Sequence, residues 1–313
     1  MNPTSRRRFL SGTGGALAAL QGHVSSGQPT VSAKTKLILL GTAGGPRPRN
    51  SRAAPSQVIW VNNTAYVVDC GNGVAIQMTR ARLPLTAVRH VFITHHHSDH
   101  NADYGNLLLL AWQSGLQSRV DTWGPPPIDR MTDLFFDMNR YDIDTRIKDE
   151  GRNPLIPLIH PHRLTEGGTL FKDDHVSVTC ALVEHPPIAP AFAYRFDTVD
   201  RSIVISGDTK PCDALIRLAR NADILVHEVM YPPALDRLLA PLPNAAALKK
   251  SILSHHTPVA EVGRVAQEAG VKTLVLSHFV PAEDPGVTEE MWIETARGPF
   301  NGRIIAGRDL LEI

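Results

Sequence analysis

Past residue 34, apolar runs of strand length alternate with stretches of helical period along most of the chain. Residues 36–41 (KLILLG) are almost continuously apolar, the mark of a strand covered on both faces. Runs at 57–61 and 65–69 joined at Asn62-Asn63 read as a hairpin. A helix is expected at 73–81, a strand at 89–94, a helix at 106–113 and a strand at 120–123. Gly124-Pro125-Pro126-Pro127 stops that strand and opens a helix near 130–138, while 141–153 is polar and without strong period. Strands resume at 176–183, 192–196 and 202–205, followed by a helix at 213–220 and a strand at 224–226. A helix at 259–268 and strands at 273–276 and 303–305 complete the pattern. Strand-rich halves with interspersed helices point to two sheets packed face to face with helices outside.

The length of 313 residues is enough to bury a sizeable core, and 42% apolar with 20% charged residues is ordinary for a soluble globular protein. A net charge of +1 supplies no global field for polyanions or anionic membrane. With this, and more heavily with an N-terminal export signal and no glycine- and lysine-rich arm in 119–167, no nucleic-acid partner is expected. Cys70, Cys180 and Cys212 form no CxxC pair and read as small buried apolar residues. At the N-terminus, Ser5-Arg6-Arg7-Arg8-Phe9-Leu10 precedes a weakly apolar, glycine-containing stretch. This resembles a bacterial twin-arginine export signal, and Val31-Ser32-Ala33 offers a small-x-small cleavage site. The stretch is too short to span a bilayer. Residues 1–33 are therefore read as signal and linker and 34–313 as one domain. The working protein is expected in the periplasm or secreted, with no stable membrane insertion.

The densest chemistry lies in Thr94-His95-His96-His97-Ser98-Asp99-His100, directly after the apolar run Val91-Phe92-Ile93. Four imidazoles and a carboxylate at a strand end deliver several ligands to one point and suit a zinc-type metal. His95 and His97, two apart in extended backbone, project to one side and can clamp one ion. Asp99 and His100, past a turn, can reach a second. His96 points the other way. A carboxylate-containing, thiolate-free set reads as catalytic rather than structural.

Further candidates sit at later strand ends: His185, Asp208, His227 with Glu228, and His278, while His255-His256 precedes Thr257-Pro258 at a helix start. With HxHxDH followed by His, Asp and His in this order, the chain resembles the metallo-β-lactamase fold superfamily, and within it the tRNase Z and arylsulfatase branch. The resemblance implies an α/β fold, a four-layered αββα sandwich. It places His95, His97 and His185 on one zinc, Asp99, His100 and His278 on a second, and Asp208 between them. It implies that His255, supported by Glu228, protonates the leaving group; adjacent His256 is the alternative. Asp99 is expected to help accept a proton. Asp69 is expected to be structural, bonding the backbone near the metal loop. A bridging carboxylate sets the chain apart from true β-lactamases.

The expected activity is dinuclear zinc-dependent hydrolysis of a small ester: an aryl sulfate, a phosphodiester or a lactone. A tRNase Z-like phosphodiesterase or ribonuclease, and an iron-dependent redox enzyme of the same fold, are the alternatives; a homodimer stays open. Arg47, Arg49 and Arg52 stand in a loop expected near the site, where arginines can clamp a sulfate or phosphate. The stretches 141–146 and 235–248 are expected to wall an apolar pocket. His90, His160, His162 and His175 are expected at the surface.

Overall fold

The structure is a computed structural model and describes residues 35–313; the twin-arginine segment lies outside them. The first sheet takes β1 (Lys36–Gly41), β2 (Ser56–Val61), β3 (Thr64–Val68), β4 (Val88–Phe92), β5 (Val120–Gly124) and β6 (Ile159–Arg163) in chain order. The second takes β7 (Gly168–Lys172), β8 (Val176–Val183), β9 (Ala191–Thr198), β10 (Ser202–Ile205), β11 (Ile224–Met230), β12 (Thr273–Val280) and β13 (Arg303–Ala306). β14 (Leu311–Glu312) returns to pair with β1 at the edge of the first sheet. The helices are α1 (Val74–Arg80), α2 (Ser98–Asn101), α3 (Tyr104–Gln113), α4 (Ile128–Met138) and α5 (Arg140–Glu150) in the first half. The second half carries α6 (Asp213–Leu218), α7 (Leu235–Leu239), α8 (Ala245–His255), α9 (Val259–Ala269) and α10 (Glu289–Arg297).

Period-two alternation builds the layers. In β1, Leu37 and Leu39 face the second sheet and pack with Phe92, Tyr194, Phe196 and Val226. Ile38 and Leu40 face the other way, toward Met78 of α1 and Leu107 of α3. On the outer face of the second sheet, Val204, Leu225 and Leu274 meet Leu215 of α6, Val262 and Val265 of α9, and Trp292 of α10. The expected four-layered αββα sandwich is therefore the fold. Among the described residues no helix is long and apolar enough to cross a membrane.

Some elements escaped the sequence pattern. The polar stretch at 141–153 is largely helix α5, whose one buried side chain is Ile143; Arg146 pairs with Asp142 and Glu150 one turn to either side. This stretch does not wall the pocket: Tyr141 is 87% exposed on that helix. β6 carries Pro161 between two histidines, tolerated because the strand is a sheet edge. α8 and α10 were also unforeseen.

β3–β4–β5–β6 are mutually parallel, as are β10–β11–β12–β13. The carboxyl ends of both groups deliver the candidate ligands, the usual rim for sites in parallel sheets.

Candidate metal centre

β4 leaves its sheet just before the histidines because Asp69 takes over its hydrogen bonding. Thr94 donates its amide to Asp69 Oδ1 at 2.8 Å and its hydroxyl to Oδ2 at 3.0 Å. Asp69 itself sits past the end of β3 with φ of +60°. Its Oδ2 also lies 2.7 Å from His100 Nδ1, which fixes that nitrogen as the donor and turns Nε2 inward. Asp69 is thus the support expected, and it orients a ligand as well. One turn of helix, α2, then presents Asp99 and His100 together. His96 points away as read, toward the Pro125 carbonyl and Asn101.

The other ligands arrive on the second sheet. His185 follows β8, with Nδ1 3.0 Å from the carbonyl of His255 and Nε2 toward the centre. Asp208 follows β10. His278 lies inside β12, at a bulge where Glu228 pairs with Ser277 and Val229 with Phe279, leaving position 278 unpaired. Its φ of +48° is costly for a residue with Cβ, and the bulge aims the ring at the carboxylates. Gly44 makes room: a Cβ there would stand 2.8 Å from His278 Nδ1.

All seven predicted ligands converge. His97 Nδ1 lies 3.0 Å from His95 Nε2 and 3.1 Å from His185 Nε2, and Asp208 Oδ2 is within 4.0 Å of the latter two rings. On the other side His100 Nε2 and His278 Nε2 stand 3.4 and 3.2 Å from Asp208 Oδ2, and 3.7 and 3.5 Å from Asp99 Oδ2. Two donors on one tetrahedral zinc, with bonds near 2.1 Å, lie about 3.4 Å apart. The spacing fits two adjacent ions sharing Asp208. Buried His100 Nε2, both His278 nitrogens and Asp208 Oδ1 have no hydrogen-bond partner among the described residues, an arrangement that cations resolve.

For His95, His97, His185 and Asp208 the electrostatics agree. Burial and neighbouring His100 hold His95 well below the ordinary imidazole range, leaving a lone pair available. Burial also lowers His97 and His185. Burial would raise Asp208, yet His278 and His100 hold it well below the carboxylate range. For His100, burial is outweighed by Asp208, Asp69 and Asp99, which raise it.

One expected partnership is rearranged. Glu228 Oε1 lies 3.1 Å from His256 Nδ1 and accepts from the amides of Thr209 at 3.0 Å and Thr257 at 3.2 Å. The carboxylate supports His256, not His255, because α8 ends at His255 and the turn to extended backbone swings the next ring toward β11. Glu228 and its hydrogen bond raise His256 to about 9 against the effect of burial. Burial and then His256 depress His255 to about 4. Both rings line the pocket over the centre, a cavity of about 370 Å³. Its walls include Leu238, Leu239, Leu248 and Ile252 on one side and Arg47 and Arg49 on the other, as the 235–248 and arginine-loop readings anticipated. Sequence reasoning missed the Gly45 amide, which donates to Asp99 Oδ2 at 2.9 Å; a backbone donor leaves no residue-type signature.

Away from the site, the three cysteines are free and buried as read. His90 is not a free surface residue: its ring stacks with both Tyr66 and Phe171, at 5.1 and 4.3 Å. His162 stacks on Trp123 and bonds Asp121.

A sheet-edge cluster of this composition on an αββα sandwich marks a metal-dependent enzyme. The family model for the beta-lactamase superfamily domain matches residues 64–279. The chain belongs to that superfamily and is a metal-dependent hydrolase acting on ester bonds. Ribonuclease Z of Mycobacterium bovis (strain BCG / Pasteur 1173P2) is 34% identical over 278 residues, covering 88% of this chain and 96% of that protein. Ribonuclease Z of Mycobacterium tuberculosis (strain ATCC 25618 / H37Rv) is 33% identical over the same length, with the same coverage. Among solved structures, the metallo-beta-lactamase fold protein YhfI from Bacillus subtilis superposes with a TM-score of 0.66 at 21% identity, covering 89% of this chain and 98% of that one. The short form of human tRNase Z gives 0.64 at 19% identity, with the same coverage. The expectation of no nucleic-acid partner is corrected by these relatives, which are named for action on RNA. Net charge, one ground for that expectation beside the export signal, reports only a sum, and a polyanion responds to where charges are placed.

Proposed function

We propose that this protein is a dinuclear zinc phosphodiesterase of the ribonuclease Z kind, with RNA as its substrate class. The observation that carries the reading is the shared carboxylate: Asp208 lies within 4.0 Å of ligand nitrogens on both sides of the centre. Similarity to ribonuclease Z over nearly its whole length supports the choice of phosphodiester over other esters.

His95, His97 and His185 would hold one ion, Asp99, His100 and His278 the other, and Asp208 both. Bound there, the pair supplies charge stabilisation for the attacking and leaving oxygens of an in-line displacement and makes water a stronger nucleophile. Asp99, kept anionic by His100 and His278 despite its burial and oriented by the Gly45 amide, accepts a proton from the attacking water. Glu228 holds His256 protonated at the pocket wall, from which the ring donates to the departing oxygen. Arg47 and Arg49 face the same cavity and pair with the phosphate.

The test is zinc-loaded protein assayed against a precursor tRNA carrying a 3′ extension, with nitrophenyl sulfate, bis-nitrophenyl phosphate and a lactone in parallel. Endonucleolytic removal of the extension supports the reading. Turnover of the sulfate or lactone with the RNA left intact refutes it.

A further inference from the structure

We propose that the RNA strand continues from the metal centre across the loop at 46–49 into a second, arginine-lined cleft on the loop's far side. This rests on RNA being the substrate, as argued above. Pro46, Arg47 and Arg49 line both the catalytic cavity and this cleft of about 200 Å³, so the loop is a partition with a basic face on each side. The far wall brings Arg52 and Arg80, making four guanidinium groups in one cleft with no carboxylate in its lining.

Arg49, Arg52 and Arg80 make no hydrogen-bonded ion pair among the described residues; Asp309 acts on Arg52 and Glu283 on Arg49 only at longer range. Arg80 Nη1 donates to Gln77 Oε1 at 3.0 Å, and Arg52 Nη1 donates to Thr42 Oγ1 at 2.6 Å and the Gly307 carbonyl at 2.9 Å. Arg49 Nη1 donates to the carbonyls of Gly45 and Arg47. These acceptors are neutral, so the side chains are fixed without any carboxylate taking up their donors. Elsewhere, by contrast, Arg119, Arg163 and Arg308 are bonded to Asp121, Asp129 and Glu289. The nearest acids spend their hydrogen bonds elsewhere, Asp309 on Thr42 and the Ala53 amide beneath the loop and Glu283 on Ser51 at its end, so the guanidinium donors stay free of them.

The cleft also offers an apolar surface. Ile76 is 59% exposed and stands one helical turn before Arg80, on the same face of α1. A guanidinium beside an exposed aliphatic group suits a phosphate flanked by a ribose or base, and fixed donors cost little ordering on binding. With a net charge of +1 for the whole chain, this concentration is local and invisible to composition.

The experiment compares wild type with Arg80→Glu and Arg80→Ala, all zinc-loaded, over a KCl series. It measures the KM for precursor tRNA, the affinity for mature tRNA by fluorescence anisotropy, and turnover of bis-nitrophenyl phosphate. Arg80→Ala is expected to reduce the slope of log affinity against log salt by about 0.7 to 0.9, one phosphate contact. Arg80→Glu is expected to raise the RNA KM by about tenfold, with the small diester unaffected. Unchanged RNA KM and salt slope in both variants would overturn the cleft. If wild type binds RNA without cleaving it, the function reading falls, and the cleft stands or falls on whether Arg80→Glu weakens that binding. If wild type neither binds nor cleaves RNA, both fail.

Discussion

Asp69→Asn barely changes volume and leaves every proposed zinc ligand in place, yet it should disable one half of the centre. In the wild type, Asp69 Oδ2 accepts from His100 Nδ1 at 2.7 Å, so the proton sits on Nδ1 and Nε2 keeps its lone pair for metal. The asparagine can still accept the Thr94 amide through its oxygen. Its NH2 group then faces His100 Nδ1 as a donor and drives the ring proton to Nε2, the nitrogen directed at Asp208. Loss of such a supporting bond typically lowers metal affinity 10- to 100-fold, or about 1.4 to 2.7 kcal/mol. Competition with a chromophoric chelator should resolve one weakened zinc and one within about threefold of wild type, the latter held by His95, His97 and His185. Hydrolysis of bis-nitrophenyl phosphate should fall in parallel and recover at raised zinc. Two unchanged affinities would show that Asp69 does not set the His100 tautomer.

Three further outcomes follow from other parts of the molecule. Leu238→Asp puts a charge on the apolar pocket wall and should raise the KM for an aryl phosphodiester several-fold in steady-state assays; an unchanged KM would remove that wall from the binding surface. Burial depresses His90 to about 4, against the opposing pull of Asp121 and Asp173. The unfolded chain, titrating near 6.5, therefore binds the extra proton, so this stability is complete above pH 6.5 and is lost as pH falls toward 4. The contribution is about 3 kcal/mol, and denaturant melts of His90→Phe should show a shallower acid limb in that window, where an unchanged limb would contradict the assignment. Gly263→Ala places a Cβ 1.9 Å from the Ala296 carbonyl where α9 packs on α10, and calorimetry should show a loss of about 1 to 3 kcal/mol; no loss would mean the helices separate freely.

The convergence of the seven candidate ligands was legible because most of these groups stand at or just past the end of an apolar strand, where periodicity and residue type agree. The sandwich was legible for the same reason. The adjacent imidazoles at 255 and 256 were not separable, since which ring meets Glu228 depends on where α8 stops. Helix α5 was hidden because ion pairs, not an apolar face, mark its surface. β6 was hidden by its proline and histidines. The arginine cluster was only partly legible: Arg47, Arg49 and Arg52 share one loop, and Arg80 joins them only when α1 packs beside it.

Zinc content per chain, measured by plasma mass spectrometry together with phosphodiester turnover, bears on the shared carboxylate most directly. Wild type should carry about two ions per chain, and Asp208→Ala should lose both that stoichiometry and turnover. A variant that keeps two ions and full activity would show that Asp208 bridges nothing.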